Sequence, residues 1–342
     1  MAKPKILYII GSLNQTVQMH KISMELPDCE HYFSQFFGNH PLVKWASQSR
    51  LMDGTILGRK RKKIADDYLA AHGLKNDYRA LNYGNAYDLV VVCSDLIMPK
   101  VARENKSIWV QEGMIDRATW GTYLVKALRL PRYLALGTSL NGASNLCDIY
   151  CTASEGYRRY LAKMGTSFDK TIATGIPNFD NAEEFLQNDF PYHNFVLVCT
   201  SDMRETFDYE NRPRFIRKCV QIAAGRPMIF KLHPNEKYDR AKREIEKYAP
   251  KGSMIFQDGN TNEMIANCDV LITQWSSVAY IGLALGKEVH SFFKIEDLKK
   301  LMPIQNGGKS AKIIARLCRE YMDSERKPVE FLKKLNPKTI GL

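Results

Sequence analysis

The feature that most constrains this chain is a rhythm of short, continuous apolar runs, each ending on polar or turn residues and each followed by a helical pattern. In the first half these are KILYIIG (5–11), YDLVVVCSD (87–95), KSIWVQEG (106–113), CDIYCTAS (147–154) and KTIATGIPN (170–178). In the second half they are NFVLVCTSD (194–202), RPMIFKLHP (226–234), GSMIFQD (252–258), CDVLITQ (268–274) and KEVHSFF (287–293). Strands apolar on both faces belong in a sheet covered on both sides, and their alternation with helices makes the sheets parallel. The expected fold class is α/β, with two doubly wound Rossmann-like domains facing across a cleft. The polar stretch NFDNAEEFLQNDFPYHN (178–194) separates the two sets of runs, so the domains are expected at 1–180 and 181–310. A helical tail, 311–342, carries Ile313, Ile314, Leu317 and Tyr321 on one face and is expected to pack back on the first domain.

Hydrophobic content of 45% and charged content of 25% over 342 residues are ordinary for a globular protein with two cores. No run of eighteen or more apolar residues occurs, so no transmembrane helix is expected. The apolar part of MAKPKILYIIGSLN is too short for a signal-peptide core and reads as the first buried strand. The eight cysteines form no C-x-x-C pair, and Cys147 and Cys151 have no second pair at a zinc spacing. Free, mostly buried thiols point to a reducing compartment, the cytoplasm. The net charge of +12 attracts polyanions, whether nucleic acid, anionic lipid or phosphorylated substrates, without choosing among them.

Three strand ends carry the chemistry. In an open parallel sheet, ligands bind beyond the carboxyl ends of the strands, and helix N-termini there favour anions. PMIFKLHPNE (227–236) ends a strand on His233. Pro234 disfavours the helical region at that residue and holds it extended, while Lys231, two residues back, is expected on the same side. CDVLITQWSSVAYIGLALG (268–286) ends on Thr273 and Gln274 and turns helical at Ser276 and Ser277, expected at the N-cap and first helical positions. These hydroxyls cap a helix and also form an anion seat; of two readings for Trp275 between strand and helix, core residue or flank for a base, the core is the preferred expectation. VQEGMIDR (110–117) offers Glu112, and after it Asp116, as a general base, against the alternative of surface acids or helix caps.

GSLNQT (11–16), with Gly11 and Ser12 in a loop opening a helix, departs from G-x-G-x-x-G, so a nicotinamide cofactor is not expected. No P-loop and no metal-binding D-x-D at a strand end occurs, and Asp66-Asp67 reads as a solvated helix face paired with lysines. ATWGTYLVKALRLPRYLALG (118–137) and GRKRKK (58–63) together have the composition of an anionic-membrane contact. A helix packed in the first domain with a solvated basic edge is the preferred expectation for the first of these.

On these residues the chain resembles GT-B-fold glycosyltransferases of the capsule and cell-wall polysaccharide kind: bacterial sialyltransferases, Kdo transferases and CDP-glycerol glycerophosphotransferases. In the first two an acidic-Gly motif supplies the base, and H-P and Ser-Ser motifs bind the CMP of the donor. Here these correspond to Glu112-Gly113, His233-Pro234 and Ser276-Ser277. In the glycerophosphotransferases K-x-H-P precedes D-x-x-I-T-D-Y-S-S. This chain has KLHP and DVLITQWSS, with Gln274-Trp275 replacing Asp-Tyr. A second resemblance, to non-hydrolysing UDP-N-acetylglucosamine 2-epimerases, lacks their D-S-G-G phosphate loop at 274–277.

The resemblance implies an acceptor-side first domain, a nucleotide-donor-binding second domain, and a metal-independent, inverting transferase needing no cofactor beyond its nucleotide-sugar substrate, CMP-linked by preference. Glu112 (or Asp116) and His233 are the expected catalytic residues. Lys231, Pro234, Thr273, Gln274, Ser276, Ser277, Gly11, Ser12 and Gly175 are expected to bind the donor. The expected partners are that donor and a glycan or lipid-linked acceptor, at the inner face of the membrane, with no specific nucleic acid. The rival readings are a glycerophosphotransferase, an epimerase and a non-catalytic nucleotide-binding protein. A nucleic-acid binder is disfavoured because the positive charge is spread and no recognisable module appears.

Overall fold

The computed structural model describes residues 2–39, 58–82, 86–135, 137–201, 203–206 and 209–342. Among them the strands are β1 (Lys5–Ile10), β2 (Glu30–Gln35), β3 (Lys75–Asn76), β4 (Leu89–Val92), β5 (Ser107–Val110), β6 (Ile149–Thr152) and β7 (Thr171–Ala173), then β8 (Val196–Cys199), β9 (Met228–Lys231), β10 (Met254–Phe256), β11 (Val270–Thr273) and β12 (Glu288–His290). Every apolar run of the sequence forms a strand. β2 and β3 are additions, because EHYFSQ is a buried strand written with polar letters. Its burial is tolerable because Ser34 Oγ accepts the Arg79 N–H at 2.9 Å and the Gln35 amide donates to Asp66.

The chain divides into two compact units, residues 1–180 with 308–342, and residues 181–307. The first holds a seven-stranded sheet of order β3-β2-β1-β4-β5-β6-β7, the second a five-stranded sheet of order β10-β9-β8-β11-β12. All pairings in both are parallel. Each is therefore a doubly wound Rossmann-like domain.

In the first unit, Ile6, Tyr8 and Ile10 of β1 pack with Ile22 of the Leu13–Met24 helix and with Ile314, Leu317 and Tyr321 of the Ser310–Met322 helix. The chain's last segment thus completes the first unit's core. Lys106 fastens it by donating from Nζ to the carbonyls of Tyr321, Met322 and Ser324 at 3.1, 2.8 and 2.8 Å, filling the acceptors a helix C-terminus leaves open. The second unit's core gathers Val196, Val198, Phe215, Ile216, Phe230, Ile245 and Ile272. There the Val278–Ala284 helix lies against the sheet at Gly282, where a Cβ would stand 2.7 Å from a Leu271 methyl.

All eight cysteines are buried and unpaired. Among the described residues no helix is long and apolar enough to cross a membrane. Of the basic run 58–63, the side chains of residues 59–61 lie outside the described residues.

Strand order reverses between β1 and β4 in one sheet and between β8 and β11 in the other. Crevices for ligands open at the carboxyl ends of strands on either side of such a reversal.

Candidate active site

At the first unit's reversal, β1 runs into Gly11 and Ser12, and Ser12 caps the Leu13–Met24 helix. The cap is reciprocal: Ser12 Oγ accepts the Gln15 N–H at 3.2 Å, and Gln15 Oε1 accepts the Ser12 N–H at 3.1 Å. The same two side chains hold Glu112, two residues past β5. Ser12 Oγ donates to its Oε1 at 2.9 Å and Gln15 Nε2 to its Oε2 at 2.7 Å. Asn178 Nδ2 donates to the Glu112 carbonyl at 3.2 Å. Glu112 is half-buried, and each carboxylate oxygen retains acceptor capacity beyond these bonds. The neighbouring Gln111 is buried and braces the turn, accepting the Ala153 N–H at 2.9 Å and donating to the Gly113 carbonyl at 2.7 Å.

Asp116 stands apart from this clamp. Its Oδ2 accepts the Thr138 N–H at 2.7 Å while its own N–H donates to Thr138 Oγ1 at 3.0 Å, so it staples one loop to another. Gly175 follows β7, two strands from β5, at a φ of 72° that favours glycine. The chain after it returns through Asn178 to the Glu112 clamp.

In the second unit the register aligns the strand ends. Cys199 at the end of β8 pairs with Lys231 of β9 on one side and Thr273 of β11 on the other. β9 and β11 therefore end level on either side of β8, about 10 Å apart, with His233 two residues past the first end and Ser276 three residues past the second. The His233 N–H donates to Thr200 Oγ1 at 3.2 Å and to Glu236 Oε2 at 3.0 Å. His233 Nδ1 accepts the Asn235 N–H at 3.2 Å, which places the neutral ring's proton on Nε2. The imidazole is half-buried and Pro234 is exposed.

Beneath this loop lies a buried charge network that sequence reasoning missed. Arg212 donates from Nη2 to Glu236 Oε1 at 2.5 Å and to the Ser201 carbonyl at 3.2 Å, and from Nε to Glu210 Oε2 at 2.9 Å. The Thr200 hydroxyl also donates to Glu236. The one available signal was the acid three residues after His233, the spacing at which a carboxylate reaches back to a backbone N–H.

Three expectations need correction. The Lys231 ammonium is engaged by backbone: its Nζ turns to the Gln257 and Leu232 carbonyls at 2.7 and 3.1 Å, tying β9 to the end of β10, and burial pushes its pKa down. Trp275 is not core. It is 46% exposed and meets Phe292 and Phe293 edge-on, at centroid distances of 5.5 and 4.7 Å. The cap is displaced by one residue: Ser277 is the N-cap, with no side-chain cap bond, and Ser276 Oγ accepts the Val278 N–H at 3.4 Å. Both serines are half-buried. Thr273 and Gln274 are buried, with Thr273 Oγ1 lacking any hydrogen-bond partner and Gln274 Oε1 accepting from Ser201 N and Oγ at 3.2 and 2.6 Å. Among the described residues no group of three His, Cys, Asp or Glu side chains is arranged to hold a metal ion.

Two Rossmann-like domains in one chain, with these strand-end clusters, define the GT-B fold class. No family model matches the chain, and no curated protein matches it by sequence. Similar solved structures include UDP-N-acetylglucosamine 2-epimerase from Rickettsia bellii, at 14% identity and a TM-score of 0.56 over 94% of this chain and 98% of that one. The same epimerase from Neisseria meningitidis, bound to UDP-GlcNAc, aligns at 13% identity and a TM-score of 0.54 over 92% and 99%. The wall teichoic acid polymerase TagF, soaked with CDPG, aligns at 10% identity and a TM-score of 0.51 over 94% and 89%. At these identities the likeness is one of fold.

Proposed function

We propose that the protein is an inverting glycosyltransferase that moves a sugar from a nucleotide-activated donor, CMP-linked, to a hydroxyl of a glycan or lipid-linked acceptor. The observation that supports this reading is the register that ends β9 and β11 level on either side of β8, at the reversal of strand order, with His233 two residues and Ser276-Ser277 three and four residues beyond those ends. Two hydroxyls and an imidazole N–H there suit a phosphate. The Val278–Ala284 helix has only seven residues, so side-chain donors supply most of the attraction. Trp275, with Phe292 and Phe293 behind it, offers an apolar flank for a base.

In the acceptor half, Glu112 takes the proton of the acceptor hydroxyl as its oxygen bonds to the anomeric carbon. The anomeric C–O bond to the donor phosphate breaks, and that phosphate leaves with the electron pair. His233 Nε2–H and the serine hydroxyls offset its growing charge. Ser12 and Gln15 keep the Glu112 carboxylate in one position throughout, and Asp116, fixed to Thr138, serves the loop. Removal of a single donor to the leaving group costs about a hundredfold or more in turnover. His233→Ala and Glu112→Gln are each expected to show such a loss at an unchanged melting temperature. Near-normal transfer by both variants rejects the assignment.

Epimerases among the similar structures favour one alternative, an enzyme acting on a UDP-sugar. A thermal-shift screen against CMP, CDP, UDP, GDP and their sugars separates the two, because a ligand bound only by the native state stabilises it by about 2.7 kcal/mol at a hundredfold excess over its Kd. Preferential stabilisation by CMP compounds supports the transferase; preference for UDP compounds favours the alternative. Binding with no turnover of any donor indicates a non-catalytic nucleotide-binding protein.

A further inference from the structure

The Trp120–Ala127 helix of the first unit carries its apolar side chains outward. Thr122 and Val125 are its buried members, with Val125 packed among Ala135, Leu140 and Met164. Trp120, Tyr123, Leu124 and Leu128 are 80%, 57%, 45% and 60% exposed. At 3.6 residues per turn these positions, with exposed Ala127, form one outward arc of about 140°. The segment that follows extends the same composition with Tyr133 and Leu134, 43% and 49% exposed. A preference for the domain interior accounts for the two buried residues and leaves the larger apolar side unexplained.

Charge identifies the occupant. From Arg117 to Cys147 the sequence contains no Asp or Glu, while Arg117, Lys126, Arg129 and Arg132 fall within it. Arg132 turns inward to the Asp95 carbonyl, and Arg117, Lys126 and Arg129 are exposed. Arg129 occupies the left-handed position after the helix, φ 52°, where glycine is the usual residue. The flanking bonds, Arg129 N–H to Lys126 O at 3.2 Å and Leu130 N–H to Val125 O at 2.9 Å, complete that C-terminal motif with a cation at its corner. A surface of leucines with Trp and Tyr among them, on a stretch whose charged residues from Arg117 to Cys147 are all cations and which the exposed Asp116 precedes, matches the boundary between acyl chains and anionic headgroups.

We infer that this face, the outward side of the Trp120–Ala127 helix and the segment after it, seats the protein on a membrane surface containing anionic lipid, with Trp120 and Leu128 entering the acyl boundary and Arg117 and Arg129 meeting headgroup phosphates. The inference concerns the first unit alone and does not depend on which nucleotide the second unit binds.

Co-sedimentation with vesicles of equal parts phosphatidylcholine and phosphatidylglycerol, against phosphatidylcholine alone, tests it. The wild-type protein is expected to pellet with the mixed vesicles and more weakly with the neutral ones. Trp120→Ser with Leu128→Ser should weaken binding to the mixed vesicles by about a hundredfold. Arg117→Gln with Arg129→Gln should weaken it by about thirtyfold. Both double variants change exposed positions and are expected to keep the wild-type melting temperature and nucleotide-induced shift. A wild-type protein that stays in the supernatant overturns the inference, as does equal binding by the Ser variant. A wild-type dimer in light scattering that the Ser variant dissolves also overturns it, because the face then pairs two copies of the chain.

Discussion

Gln274 stands where the resembled glycerophosphotransferase motif carries an aspartate, and its surroundings account for the amide. Its Oε1 accepts two bonds from Ser201 while its Nε2 donates to Glu210 Oε1 at 2.5 Å, with the Gln274 side chain buried. A carboxylate has no hydrogen to give Glu210 and would oppose it in a buried setting. Gln274→Glu is therefore expected to lower unfolding free energy by about 3 kcal/mol, read from urea melts of the second unit. Lys231 shows the opposite limit of sequence reading. Alternation along β9 correctly separates its neighbours, but a lysine stem is long enough to take the ammonium to a carbonyl of the adjoining strand. The Gln257 carbonyl, brought in by β10, joins the Leu232 carbonyl in deciding where it goes. Trp275 was misplaced for a related reason: an indole between a strand and a helix is core or surface according to what stands opposite, here Phe292 and Phe293.

At the level of elements, the Leu13–Met24 helix start does two jobs with one pair of side chains. Ser12→Ala removes the cap and one donor to Glu112, so about 1 kcal/mol of stability should go with it. Turnover should fall as well, while Gln15 still holds the other carboxylate oxygen. The Arg212–Glu236 pair supports the His233 loop from below. Arg212→Met leaves a buried carboxylate without its cation and is expected to cost about 3–5 kcal/mol. β2 contributes a pH dependence. His31 Nε2 donates to the Leu26 carbonyl at 2.8 Å, and its Nδ1 lies 3.3 Å from the Tyr8 hydroxyl. Burial is the main cause that lowers the His31 pKa, against a smaller raising effect of the Leu26 bond, and burial lowers that of His20 as well. With the native values below the unfolded one, the unfolded chain takes up protons first on acidification. This stability is full above about pH 6.5 and is lost as pH falls through the window below it. Melting temperature should drop as pH falls below about 6.5, and His31→Gln, able to make both bonds without titrating, should flatten the drop. A variant with the wild-type slope places the effect elsewhere.

For the molecule as a whole, the return of the chain to the first unit has a direct consequence. Ile314, Leu317, Cys318 and Tyr321 are essentially closed to solvent inside a core that the last segment, from Ala311 to Ile340, shares with residues before 180. A chain ending at Gly307 should therefore fail to give a cooperative first unit, with exposed β-sheet surface and aggregation. Residues 181–307, which bring their own core, should keep a cooperative transition in circular dichroism. Loss of the second unit's transition along with the first would show that the two cores are not independent.

What the sequence determined by itself was the alternation of buried parallel strands and helices, because a strand covered on both faces needs an unbroken apolar run and the chain writes that run ten times. It also marked the strand ends that carry His233, Ser276 and Glu112, since polar residues directly after such runs fall at the carboxyl edge of a parallel sheet. It did not reveal β2, whose polar side chains are paid for by partners distant in sequence, such as Arg79 and Asp66. Nor did it reveal which of Glu112 and Asp116 is clamped at the reversal of strand order, or where Lys231 and Trp275 point. Those were decided by the tertiary structure, because each depends on a hydrogen-bond or ring partner supplied by another strand or loop, and local pattern carries no information about a partner that only folding brings near.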